Sequence, residues 1–108
     1  MEMPNKEVIR DRILYYLALI YPQSATLPLL QGELDLFGYP VPVNELESHL
    51  GYLVVKELVS REEHVRRHQH EKYAPVRKVS LVKITAKGID YCDGRLPADE
   101  GIYLPPRQ

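Results

Sequence analysis

The chain has 108 residues, 44% apolar and 27% charged, proportions that suit one globular domain with a modest core. Its single cysteine, Cys92, excludes an internal disulfide framework. The opening MEMPNKEVIRDR is charged rather than signal-like, and no run approaches the roughly 20 apolar residues of a membrane span, so a cytoplasmic protein is expected.

The first helix opens after Pro4, with Asn5 placed to cap it and Glu7 near its positive end. Ile9, Ile13, Tyr16, Leu17 and Ile20 form one apolar stripe, and Pro22 ends it. Thr26 is the expected cap of a second helix, with Pro28 in its first turn, Leu30, Leu34 and Phe37 on one face, and Gly38 as its stop. Pro40 and Pro42 hold the next residues extended. In the third helix, Asn44 and Glu47 are placed as a variant capping box. Leu46, Leu50, Leu53 and Val54 are expected on its inner face, and Glu45, His49, Tyr52 and Lys56 on the opposite one. Gly51 in mid-helix implies close packing or a locally weak helix.

Residues 58–66 and 78–84 read as two antiparallel strands joined by a long polar tip containing Pro75. Thr85 caps a last short helix, residues 86–93, stopped by Gly94. The domain is expected over residues 1–94, with 95–108 as an extended C-terminal arm. The net charge of −1 hides an asymmetry. Residues 61–87 hold eight Lys/Arg against three Asp/Glu, a balance of +5, and the rest of the chain stands at −6. A basic stretch of this kind suits a polyanionic partner, although a solvated hairpin tolerates such charge without one.

The order helix, helix, turn, helix, hairpin resembles a winged helix-turn-helix, a mainly α fold with a β-hairpin (α+β). Two stretches carry the likeness. The run Leu50-Gly51-Tyr52-Leu53-Val54-Val55-Lys56-Glu57-Leu58-Val59 looks like a third helix running into the first wing strand. Ile84-Thr85-Ala86-Lys87-Gly88 resembles the "ITxKG" junction that closes the wing in MarR-like and ArsR-like regulators. The whole layout, tail included, is also similar to small regulators of Mu-like prophages. The resemblance implies a regulator that binds double-stranded DNA, with the third helix in the major groove and the wing on the phosphate backbone. The reading face would be Glu45, Ser48, His49, Tyr52 and Lys56. The wing contacts would be Arg61, Arg66, Arg67, Lys72, Arg77 and Lys78. A homodimer through the first helix and the C-terminal region would present two such units to adjacent half-sites.

Other readings compete. Helix-turn-helix proteins contact bases from the start of the recognition helix, where this chain carries Glu45 and Glu47; both acids suit the helix dipole and caps equally well. An acidic third helix, near-neutral total charge and eight tyrosines fit a protein-interaction adaptor with a Tyr103-Leu104-Pro105-Pro106 arm. His64, His68 and His70 would share one strand face and could hold a zinc or nickel ion, with His49 or Cys92 as a distant fourth ligand, but no cysteine pair or acid accompanies them. Polar wing surface explains them as well. Cys92 reads as a small buried hydrophobe. No nucleophile elbow, phosphate-binding loop or paired catalytic carboxylates point to an enzyme, and no cofactor is expected.

Overall fold

A computed structural model describes residues 5–66 and 77–103, with the side chains of Arg66 and Arg77 left aside. The fold is α+β, with four helices and a three-stranded antiparallel sheet. In chain order the elements are α1 (Lys6–Ile20), β1 (Ala25–Thr26), α2 (Leu27–Leu36), α3 (Val43–Val55), β2 (Val59–Arg66), β3 (Arg77–Ile84) and α4 (Ala86–Cys92). No helix among the described residues is long and apolar enough to cross a membrane.

Local chemistry sets most of the boundaries. Asn5, Thr26 and Thr85 each accept a backbone N–H of the first turn, from Val8, Leu29 and Gly88 respectively, satisfying donors that have no partner within the helix. Three helices end in the same way. Beyond the cap residues of α2, α3 and α4 the chain turns left-handed, at Gly38 (φ 81°), Glu57 (φ 64°) and Gly94 (φ 75°). Paired N–H groups then bond back into the last turn, as in Leu58 to Leu53 at 3.0 Å and Glu57 to Val54 at 2.9 Å. Glu57 bears the Cβ penalty of that conformation, and its carbonyl accepts the Thr85 hydroxyl at 2.7 Å.

The sheet order is β1-β3-β2. β2 and β3 form a hairpin in continuous register from Val59↔Ile84 to Arg66↔Arg77. β1, which has only two residues and no sequence signal of its own, pairs through Ala25↔Val82 and Thr26↔Leu81. The core lies between the helices and the base of this sheet, built from Ile13, Leu14 and Leu17 of α1, Leu30, Leu46, Leu50 and Leu53 of α2 and α3, and Val82 and Ile84 of β3. Cys92 joins it as a buried side chain.

Residues 95–103, expected as an extended arm, instead return over the helices. Ile102 is 3% exposed in the core, and the Tyr103 N–H donates to the Glu7 carbonyl at 3.0 Å. The Tyr91 hydroxyl ties the same segment down, donating to the Ile102 carbonyl at 3.3 Å and accepting from the Asp99 N–H at 3.0 Å. An apolar residue placed eight positions beyond a helix stop can gain core burial, which outweighs the absence of local periodicity.

Of the three glycines inside helices, Gly32, Gly51 and Gly88, only the last is closely packed. Gly51 is exposed and a Cβ there would meet nothing within 4 Å, whereas a Cβ on Gly88 would run into the Leu58 backbone and the Ile84 side chain. Of the two alternatives for Gly51, close packing is thus absent there and is found at Gly88 instead. Gly51→Ala should stabilise the domain by about 0.5–1 kcal/mol, and Gly88→Ala should destabilise it by about 1–3 kcal/mol through overpacking. Paired denaturant titrations check both signs.

Candidate nucleic-acid interface

α3 begins at Val43, directly after the extended prolines, with Pro42 at the cap position and no side-chain cap. That start places Asn44 inside the first turn and Glu47 beyond reach of the cap, so the expected capping box does not form. The Glu47 carboxylate goes elsewhere. It accepts two bonds from the Arg61 guanidinium on β2, at 2.5 and 2.8 Å, and Arg61 also donates to Ser80 at 3.0 Å. The paired charges hold the Glu47 carboxyl below its ordinary range and push Arg61 up. Arg61, expected on the phosphate backbone, is thus committed to fastening the hairpin to α3.

The face of α3 expected to read bases is covered in part, at His49 and Tyr52, while Glu45, Ser48 and Lys56 are exposed. His49 is 1% exposed, while Val54, expected inside, is 39% exposed. The two residues flank the Leu46–Leu50–Leu53 arc at roughly equal angles, and α1 with the returning C-terminal segment covers the His49 side. There the Arg10 guanidinium donates from Nε to His49 Nδ1 at 3.2 Å and to the Gly101 carbonyl at 3.0 Å. Its plane also lies 3.8 Å from the centroid of the Tyr52 ring. The Tyr52 hydroxyl donates to the Asp99 carboxylate, which also accepts the Gly101 N–H at 2.8 Å and pairs with Lys56 at 3.1 Å.

Each protonation state here follows from a neighbour. Burial, then the Arg10 charge, lowers the His49 pKa, and Glu45 opposes them. The Tyr52 hydroxyl bond, more than any other contact, lowers Asp99, and the same bond raises Tyr52. Asp99 in turn raises Lys56. A Cβ on Gly101 would collide with the Tyr52 hydroxyl, so that position needs glycine for close approach. His49, Tyr52 and Lys56 are therefore not open donors on a reading face. Ser48 is, together with Asn44, Glu45, Gly51 and Val55, all exposed on the next strip of α3.

On the hairpin, Lys78 is exposed, and Lys83 lies 5.6 Å from the Tyr21 ring centroid. The backbones of Arg66 and Arg77 face each other as the outermost described pair. Arg67, His68, His70 and Lys72 lie outside the described residues. His64 is exposed on β2 and sits 3.3 Å from Glu62 of its own strand. Among the described residues no group of three His, Cys, Asp or Glu is placed to hold a metal ion.

The Thr85–Gly88 junction has a structural role here. The Thr85 hydroxyl caps α4 and donates to Glu57, and Gly88 lets α4 approach the Leu58 backbone. Sequence reading missed Arg10, Asp99 and Gly101, because their partners lie 39 to 91 residues away. Comparison with protein-family models, with curated proteins and with solved structures finds no match to this chain.

Acid titration checks the carboxylate assignments. Asp99 and Glu47 are both lowered on folding, so their contribution is present above the unfolded carboxylate range and lost as pH falls through the folded values. Stability should therefore drop on acidification below about pH 4.5. Asp99→Asn and Glu47→Gln should each flatten part of that limb, as read by urea midpoints from pH 7 to pH 3.

Proposed function

We propose that this domain binds double-stranded DNA as a winged helix-turn-helix regulator, holding the phosphate backbone mainly with the far half of its hairpin. The charge at that end carries the reading. Arg66 and Arg77 are register partners, an arrangement of like charges that is unfavourable in isolation. Residues 66–78 add up to five Lys/Arg against one Glu, a balance of +4. A row of phosphates relieves that repulsion and releases counterions on binding. Two helices joined by residues 37–42 and followed by the hairpin support the same fold reading.

In this account Arg66, Arg67, Lys72, Arg77 and Lys78 supply most of the affinity. α3 contributes little discrimination, because its open strip offers only Asn44, Glu45 and Ser48 as polar side chains, and Glu45 suits only a cytosine amino group. Pairing of two copies through α1 and the C-terminal region, where Leu19 and Tyr103 are exposed, would bring two hairpins to one duplex.

A second reading, a protein-interaction adaptor, has its own observation. From residue 13 to residue 55 the chain holds no Lys or Arg and four acids. On the same stretch Leu36 and Val55 are 81% and 80% exposed. A stretch without cations of its own and with exposed aliphatic residues suits a protein partner better than phosphates.

Salt-dependent binding to duplex DNA separates the two. Arg66→Ala with Arg67→Ala should weaken binding by a similar factor on every sequence, roughly tenfold or more, and reduce the log–log salt slope by about two. Lys56→Ala should change affinity little, since Asp99 already holds that ammonium. Absence of duplex binding at low salt would favour the adaptor.

A further inference from the structure

Arg10 is one of several side chains that join α1, α3 and the C-terminal segment, and the one that touches all three. Its guanidinium needs the lone pair on His49 Nδ1, grips the Gly101 carbonyl, and covers the Tyr52 ring. Because Nδ1 accepts, the imidazole carries its proton on Nε2. That nitrogen is buried with no hydrogen-bond partner, and the nearest carboxylate oxygen, Glu45 Oε1, stands off at 3.6 Å. The imidazole therefore sits between a cation it accepts from and a carboxylate it does not quite reach.

We propose that His49 is the pin of a proton-sensitive latch that holds residues 99–103 against α1 and α3 and lets them go when Nδ1 takes up a proton. The proton comes from solvent and occupies the lone pair that Arg10 Nε–H was using, so that bond breaks and two cations are left in contact. Glu45, half exposed on the same helix, is positioned to close on Nε2–H once the ring is charged. Arg10 is repelled in the same step, and with it go the bond to Gly101 and the cover over Tyr52.

The charged groups around the ring set the direction. Arg10 and Lys6 on α1 oppose protonation, as does burial, and Glu45 on α3 favours it. From the C-terminal segment, Asp99 is already engaged by Tyr52 and Lys56. The folded histidine thus titrates below its ordinary value of 6.5. Closure is complete above that ordinary value and is lost as pH falls through the folded one. Opening uncovers Arg10, Tyr52 and Lys56, two cations and an aromatic ring along one edge of α3.

The test is a pH titration of the full chain followed by proton–nitrogen NMR. Three amides report the latch: Gly101, bonded to Asp99; Ile102, bonded to the Asp99 carbonyl; and Tyr103, bonded to Glu7. They should move together with the His49 ring signals as pH is lowered from 6.5, while core amides such as Leu14 and Leu50 hold their positions. His49→Gln, whose side-chain oxygen can still accept from Arg10 but cannot titrate, should leave the three amides flat across that window. Glu45→Gln should move the midpoint to lower pH by removing the carboxylate that favours the charged ring. Should His49→Gln fail to fold, the Glu45→Gln shift decides alone. The proposal is overturned if the three amides stay still while His49 titrates, if the core amides are lost in the same step, or if the midpoint ignores Glu45→Gln.

Discussion

Arg10 lies half-buried on α1, and its guanidinium meets an imidazole, an aromatic face and a backbone carbonyl at once. Those three partners belong to α3 and the C-terminal segment, so one side chain sets how the segment lies across the helix. Its position decides which surface of α3 remains open. His49 turns inward to accept from it, Tyr52 lies beneath it, and Asp99 is carried to within reach of Lys56. His49 and Tyr52 are thereby engaged inside the molecule. A buried polar cluster of this kind favours one arrangement, since a partner left unmatched there costs more than a matched one contributes.

The opposite flank of α3 is fixed by a second charged pair. Glu47 and Arg61 hold the base of the hairpin to the helix, which commits one of the hairpin's cations. Charge is segregated along the chain: none of the Lys or Arg residues falls between 13 and 55, and five fall between 66 and 78. A surface divided in this way separates backbone affinity from base reading. The hairpin can supply the first. The open strip of α3, with Asn44, Ser48, Gly51 and Val55, has few groups to supply the second.

What was legible in the sequence was what depends on neighbouring residues. Asn5, Thr26 and Thr85 announce helix starts because a short oxygen-bearing side chain reaches N–H groups three residues on, and Gly38 and Gly94 mark stops because the turn there is left-handed. Glu57 makes the same turn as those glycines without announcing it, since tertiary contacts hold it in place. The two strands of the hairpin were visible from composition, but β1 was not, because two residues carry no period. The α3 face was misjudged for a related reason. His49 and Val54 are equivalent by helical angle, and only the return of residues 99–102 decides which is covered. Asp99 and Gly101 sit in an aperiodic Pro- and Gly-containing tail, and nothing local links them to Arg10.

The central claim is that DNA is held by the hairpin while the clasped edge of α3 stays out of the contact. Mapping amide chemical-shift changes on addition of a short duplex at neutral pH tests it most directly. The expected result is a set of changes concentrated on β2 and β3 towards Arg66 and Arg77, extending to Asn44, Ser48 and Gly51, with Tyr52, Lys56, Asp99 and Gly101 unmoved. Changes centred on Tyr52, Lys56 and the C-terminal segment, with the hairpin silent, would contradict it.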